Sequence, residues 1–359
     1  MRVAVAIGSR ANWGSLRSAC IALRRHDADV RPVLFASALV ERYGDVFASL
    51  ARDGFTDAEG LSCHTEGHVT DMARTAGLAA VEWSTYIRNA RPDAVLVVGD
   101  RHEVLGAAMA AAYANVRLVH TMGGEVSGSI DDKVRDAITC LADAHCVASR
   151  GAMRRVEELM KVGTMAHLTG CPRVDTVREA IGSETRRAYE RTIMVSQHPV
   201  TTEDGSYGDM AETLQAVGTV AERRNFGVEL FWPNADAGTG GSARAIRSWL
   251  ASEQAENLQV RTHRTMGPED YARMMARAAC LVGNSSSGLR EGAWIGTPVV
   301  NVGTRQSNRE HGANVVDVPA FADQIESAIV RQIDHGAYPS SDMYGDGTAG
   351  ERVAKMVLG

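Results

Sequence analysis

The hydrophobic pattern of the chain alternates between two periods. Short apolar runs, the mark of buried strands, are each followed by a glycine-rich or polar break. A longer stretch with apolar residues at helical spacing then follows. In the first half this pattern predicts strands at residues 3–7, 30–35, 95–98, 116–120 and 144–149, and a short one ending at the turn Thr169-Gly170-Cys171-Pro172. Helices are predicted at about 13–25, 46–52, 70–90, 132–141 and 150–161, with an alanine-rich helix between the strands at 95–98 and 116–120. Residues 54–70 read as irregular.

Residues 173–191 are charged and helical and read as a solvated linker. The alternation then resumes, with strands at 193–196, 228–232, 258–262, 280–283 and 299–302. The expected helices are 209–223, 244–251, 269–277 and 289–295, with a last one from about 350. Two series of strand–helix units predict an α/β protein with two Rossmann-like domains facing each other across a cleft. The expected boundaries are 1–172 for the first domain, joined by the terminal helix 350–359, and 190–345 for the second.

Chemistry concentrates at strand ends, where parallel sheets place their ligands. The strand at 95–98 ends in Gly99-Asp100-Arg101, and the strand at 116–120 runs into a glycine loop followed by Glu125, Asp131 and Asp132. These carboxylates are candidates for proton transfer, and an aspartate there is also a good helix cap. Gly8-Ser9-Arg10 lies between a strand and a helix, a place suited to phosphate. In the second half the run GNSSSG puts Ser285, Ser286 and Ser287 between a buried strand and a helix. Their hydroxyls and backbone N–H groups suit a diphosphate, and capping alone accounts for one serine rather than three. Glu291, in the helix that follows, can accept from both hydroxyls of a ribose. Arg10, Arg101 and Arg305 lie in strand-end loops and supply cationic groups, and His198 ends a strand at the same edge. Together these residues describe a site for a nucleoside-diphosphate sugar.

Composition removes several alternatives. The 359 residues are 45% hydrophobic and 23% charged, with a net charge of −6, so neither nucleic acid nor an anionic membrane is an expected partner. Six scattered cysteines form no CxxC pair, so no zinc site or redox dithiol is expected. No GxGxxG run is present, so no dinucleotide is implied, and no cofactor or metal is expected. The chain starts directly on a strand without a leader pattern, and no run of about 18 apolar residues suggests a membrane span. A reduced, cytoplasmic protein is the expectation.

The stretches SRANWGSL, GDRHE, GGEVSGSIDD, TGCP, QHPVTT, WPNADAG, GNSSSGLRE, GTPVVNVGTRQ and YGDG occur in order along nearly the whole chain. They resemble the UDP-N-acetylglucosamine 2-epimerase family, above all its hydrolysing branch in sialic acid synthesis. The resemblance implies a glycosyltransferase-B fold and a homodimer. It also implies UDP contacts at Arg10, Arg101, His198, Asn234, Ser285, Ser286, Glu291 and Arg305, and catalytic carboxylates at Asp100 and Asp131. Two positions depart from the family pattern. Met122 stands where the motif EGGEVSG has its first glutamate, and Ala38 stands where the sialic-acid branch has histidine.

The implied chemistry is elimination of UDP from UDP-N-acetylglucosamine to 2-acetamidoglucal, followed by re-addition. A glycosyltransferase of the same fold is the second reading, which GGEVSGSIDD opposes because transfer needs no such carboxylate set. A non-catalytic sugar-nucleotide binder is the third, motivated by Met122 and Ala38. With the glutamate lost, UDP-N-acetylmannosamine is the expected product, with hydrolysis to free N-acetylmannosamine as the alternative.

Overall fold

A computed structural model describes residues 1–41, 44–65, 70–127, 130–160, 165–182, 190–200, 206–233, 239–264 and 266–359. The chain divides into two compact units. One comprises Met1–Val126, Ile130–Asp175 and Gly345–Gly359, and the other Ser127–Ser129 and Thr176–Tyr344.

The first unit runs β1 (Arg2–Ile7), α1 (Arg10–Arg25), β2 (Asp29–Phe35), α2 (Val46–Arg52), β3 (Glu59–Leu61), α3 (Asp71–Ala90), β4 (Ala94–Val98), α4 (His102–Tyr113), β5 (Arg117–Thr121), α5 (Ile130–Leu141), β6 (Ala144–Val147), α6 (Arg150–Met160) and β7 (Met165–Leu168). Helix α7 (Pro172–Ile181) leads into the second unit. There the order is β8 (Thr192–Val195), α8 (Ser206–Arg224), β9 (Gly227–Phe231), α9 (Thr239–Leu250), α10 (Glu253–Glu256), β10 (Val260–His263), α11 (Pro268–Arg277) and β11 (Cys280–Gly283). It continues with α12 (Ser286–Leu289), α13 (Glu291–Ile295), β12 (Val299–Val302), β13 (Val315–Val318) and α14 (Ala322–His335). The last helix, α15 (Ala349–Leu358), belongs to the first unit.

Both sheets are parallel throughout. Their orders are β3-β2-β1-β4-β5-β6-β7 and β10-β9-β8-β11-β12-β13. Each order reverses once, between β1 and β4 in the first sheet and between β8 and β11 in the second. At such a point two neighbouring loops diverge to opposite faces and leave a crevice for ligand. All five residues of β4 are buried, as expected of a strand covered by helices on both faces. Helices α3 and α4 cover it, with Trp83 and Phe35 packed edge-to-face at 5.6 Å.

The structure corrects the solvated reading of 173–191 over its first part, which forms α7; residues 183–189 lie outside the described residues. Val174, Thr176 and Val177 of α7 are buried. Two of its charges, Arg173 and Asp175, are taken up by hydrogen bonds, while Arg178 and Glu179 are exposed. Arg173 donates to the Ser15 hydroxyl at 2.9 Å and to the Ala11 carbonyl at 3.1 Å. Asp175 accepts from the N–H groups of Ala349 and Gly350 at 2.9 and 2.6 Å, satisfying donors that α15 would otherwise leave open. At the other end of α15, Arg117 donates to the carbonyls of Met356 and Val357. Residues 54–70, expected to be irregular, contain the short edge strand β3, and three further elements carried no expectation: the edge strand β13, the single turn α10, and α14. The last has buried Ile325, Ala328, Ile329 and Gln332 at helical spacing. Among the described residues no helix is long and apolar enough to cross a membrane.

Candidate active site

In the first unit, the loop after β4 lies at the reversal point, and its geometry is fixed from below. The Gly99 N–H donates to the Thr121 carbonyl at 2.9 Å, and the Gly99 carbonyl lies 2.8 Å from His120 Nε2. A carbonyl only accepts, so Nε2 carries the proton. Nδ1 then accepts from the Thr139 hydroxyl at 3.3 Å. Burial holds the His120 pKa down to about 3, with the field of His145 adding to the effect, so the ring is neutral. The peptide entering Asp100 is thereby pinned by an uncharged side chain.

Asp100 itself pairs with Arg135 of α5. The same guanidinium donates to Asp132 Oδ1 at 2.6 Å and to the Glu125 carbonyl at 2.5 Å. Arg135 is only 1% exposed. Burial opposes its charge, but the fields of Asp100 and Glu125 and the hydrogen bonds to Asp100 and Asp132 outweigh that, and its pKa is raised. Asp131 adjoins Asp132 in the first turn of α5. The two acidic clusters read from the sequence are therefore joined within one unit.

The loop after β5 is held tightly. Gly124 has φ +77°, and a Cβ there would lie 2.2 Å from the Ala152 carbonyl oxygen, so only glycine fits. Met122 is a non-glycine residue at φ +60°, is 6% exposed, and donates its N–H to the Cys146 carbonyl at 2.8 Å. Glu125 is buried as well. On the other side of Asp100, Arg101 donates from Nε to the buried Glu103 carboxylate at 2.7 Å. Ser9 caps α1, accepting from the Asn12 N–H, and Arg10 is the first residue of that helix. Ala38 is buried and donates its N–H to the Gly8 carbonyl.

In the second unit the loops after β8 and β11 meet at the reversal point. Gly283 has φ +129°, and a Cβ there would lie 2.3 Å from the Ser196 carbonyl oxygen, which excludes any side chain. The buried Asn284 accepts from the His198 N–H at 2.7 Å and donates to the His198 carbonyl at 2.9 Å. Its own carbonyl accepts from Arg305 at 3.1 Å and from Gln306 at 3.0 Å. Asn284 therefore ties His198 to Arg305. The Ser285 and Ser287 hydroxyls lie 2.8 Å apart, Tyr271 Oη meets Ser287 Oγ at 2.8 Å, and Arg290 donates to Ser286 Oγ at 2.9 Å. Burial raises the Tyr271 pKa, so the phenol is protonated and can donate. The expected helix at 289–295 is two short turns, α12 and α13, broken at Arg290. Glu291 opens the second and is buried.

Asn234 lies outside the described residues. Arg135, Glu103 and His120 in the first unit, and Tyr271, Asn284, Arg290 and Gln306 in the second, were missed by the sequence reading. One signal was available for Arg135: it falls at core spacing with Ile138 and Thr139, which are fully buried, on an otherwise amphipathic helix. A cavity of about 450 Å³ in the second unit is lined by Asp209, Gly303, Thr304, Asp317, Val318, Pro319, Ala320 and Phe321. Its two carboxylates make it a poor place for a diphosphate.

Two doubly wound parallel sheets, each with polar side chains gathered at its reversal point, define an α/β enzyme of the glycosyltransferase-B class. The family model described as UDP-N-acetylglucosamine 2-epimerase matches residues 22–358, and the chain belongs to that family. A relative from Legionella pneumophila, UDP-N,N'-diacetylbacillosamine 2-epimerase (hydrolyzing), is 28% identical over 98% of this chain and 93% of its own length. The UDP-N-acetylglucosamine 2-epimerase of Neisseria meningitidis serogroup B is 26% identical over 99% of this chain and 94% of its own. A crystal structure of the Methanocaldococcus jannaschii UDP-GlcNAc 2-epimerase in complex with UDP-GlcNAc and UDP superposes with a TM-score of 0.81. It is 12% identical and covers 100% of this chain and 99% of that one.

Proposed function

We propose that the protein is a UDP-N-acetylglucosamine 2-epimerase that works by elimination and re-addition and releases UDP-N-acetylmannosamine. The C2 hydrogen of the sugar is not beside a carbonyl, so direct removal is very unfavourable. Breaking C1–O leaves the bonding pair on UDP and an oxocarbenium-like centre at C1, which acidifies C2–H. A carboxylate takes that proton, and the C–H pair forms the C1=C2 bond of 2-acetamidoglucal. Delivery of a solvent-exchanged proton to the opposite face of C2 and return of the UDP oxygen to C1 invert C2. In this reading Asp100, Asp131 and Glu125 of the first unit serve the proton and the cationic centre. His198, Ser285, Ser286, Ser287, Glu291 and Arg305 of the second unit, with Arg10 and Arg101, take the nucleotide. Asn234 is assigned to the nucleotide by the family motif alone.

The observation that carries the choice of product is Met122. It is buried in the glycine loop where the family motif has glutamate. A thioether cannot take a proton at neutral pH, and its apolar surface disfavours an ordered water. Water addition to the glycal therefore suffers more than re-addition of UDP. One observation favours the second reading, hydrolysis to free sugar and UDP: the Legionella relative is described as hydrolysing. Proton NMR of UDP-N-acetylglucosamine turnover in deuterium oxide separates the two. A persistent mixture of two UDP-sugars with deuterium at C2 is the expected result. Stoichiometric UDP and free N-acetylmannosamine would overturn the choice of product. Met122→Glu is expected to move the partition towards free sugar.

A further inference from the structure

Arg135 comes from the body of a helix rather than from any loop that the motifs mark. Its guanidinium reaches three separate chain segments. Nη2 donates to Asp100 in the loop after β4, and Nη1 donates to Asp132 in the first turn of α5 and to the Glu125 carbonyl in the glycine loop. Those are the three segments that carry Asp100, Asp131 and Glu125. A guanidinium is planar, with its donors in a fixed fork, so it specifies direction as well as charge. Lysine presents a rotatable point charge and cannot reproduce that. A buried cation and its carboxylates also depend on each other, because removing one side leaves the other uncompensated away from water.

We propose that Arg135 is a positioning residue for the epimerisation. Its fork orients the Asp100 carboxylate and holds the glycine loop and the first turn of α5 in register with it. This inference rests on the reading that Asp100 takes part in the reaction. Two consequences follow. Loss of Arg135 acts on kcat rather than on nucleotide affinity, since its hydrogen bonds to Asp100, Asp132 and the Glu125 carbonyl all lie in the first unit. It also moves the acid limb of the kcat profile. A neighbouring arginine favours the ionised carboxylate, so without it Asp100 protonates at higher pH and activity is lost earlier on acidification.

The test uses the full chain, with deuterium wash-in at C2 of UDP-N-acetylglucosamine and UDP affinity by calorimetry. Arg135→Met is expected to lower kcat by about tenfold or more with KM little changed, and to raise the acid limb by about one pH unit or more. Arg135→Lys is expected to keep the limb near that of the parent while recovering only part of kcat. Parent-like kcat together with an unmoved limb in Arg135→Met would overturn the proposal. Should that variant fail to fold by circular dichroism, Arg135→Lys decides: parent-like kcat there removes the need for a fork. Asp100→Asn separates this proposal from the reading beneath it. If Asp100→Asn is inactive while Arg135→Met turns over normally, only the role of Arg135 falls. If Asp100→Asn turns over normally, both fall.

Discussion

The two reversal points are built from opposite materials. The one in the first unit gathers carboxylates around a single buried guanidinium, with the neutral His120 beneath. The one in the second unit relies on hydrogen bonds among serines, a tyrosine and an asparagine, with Arg290 buried beside the serines and Arg305 donating to the Asn284 carbonyl. A region that must move a proton needs groups that can change charge, and these are stable together only with a counter-charge. A region that must hold an anion needs fixed donors and gains nothing from groups that titrate. Chemistry and binding should therefore separate cleanly under mutation.

The largest effect should come from the carboxylates. Asp100→Asn and Asp131→Asn are each expected to lower turnover by about two orders of magnitude or more while UDP still binds, in line with loss of acid–base function. Deuterium exchange and calorimetry on the same samples check both halves. Parent-like exchange would remove that carboxylate from the mechanism and break the contrast.

The converse lies in the second unit. Glu291→Ala is expected to weaken UDP binding about 10- to 150-fold, the cost of one hydrogen bond to a charged group at roughly 1.5–3 kcal/mol. Its kcat at saturating substrate should change far less. Unchanged UDP affinity would mean that Glu291 does not face the nucleoside.

The smallest effect concerns stability. His120 and His145 pair across the β5–β6 register and are fully buried. Among the described residues neither ring nitrogen of His145 has a hydrogen-bond partner. Burial depresses both pKa values from 6.5, to about 3 and about 4, with Asp143 opposing the shift at His145. The unfolded chain therefore binds protons there that the folded chain refuses. Stability should be level above about pH 6.5 and fall as the pH drops towards 4 and then 3. His145→Leu, which removes the buried polar ring at similar volume, should flatten that slope with little loss at neutral pH. Urea unfolding at several pH values measures it, and an unaltered slope would assign the acid sensitivity elsewhere.

The strands and glycine breaks were legible because they are local. Residues 280–283 and 299–302 are as expected, since short apolar runs bounded by glycine and polar residues have few other uses. The strand at 315–318 was not read, because an edge strand buries only part of its side chains and loses the apolar signature. The serine loop was read as a set of donors. Its internal hydrogen bonds, with Ser287 between Ser285 and Tyr271, depend on a residue 16 positions away and leave no local trace.

By itself the sequence determined the alternation of strands and helices, the family, and which loops carry the carboxylates and the serines. All of these are written in short runs and fixed spacings. Only the tertiary structure decided which of those residues are held together, and by what. The pairing of Asp100 with Arg135 joins positions 35 apart, and Asn284 clamps His198 across 86. Such contacts follow from the order in which parallel strands are laid side by side. That order arises from the packing of whole elements, so no stretch of a few residues can encode it.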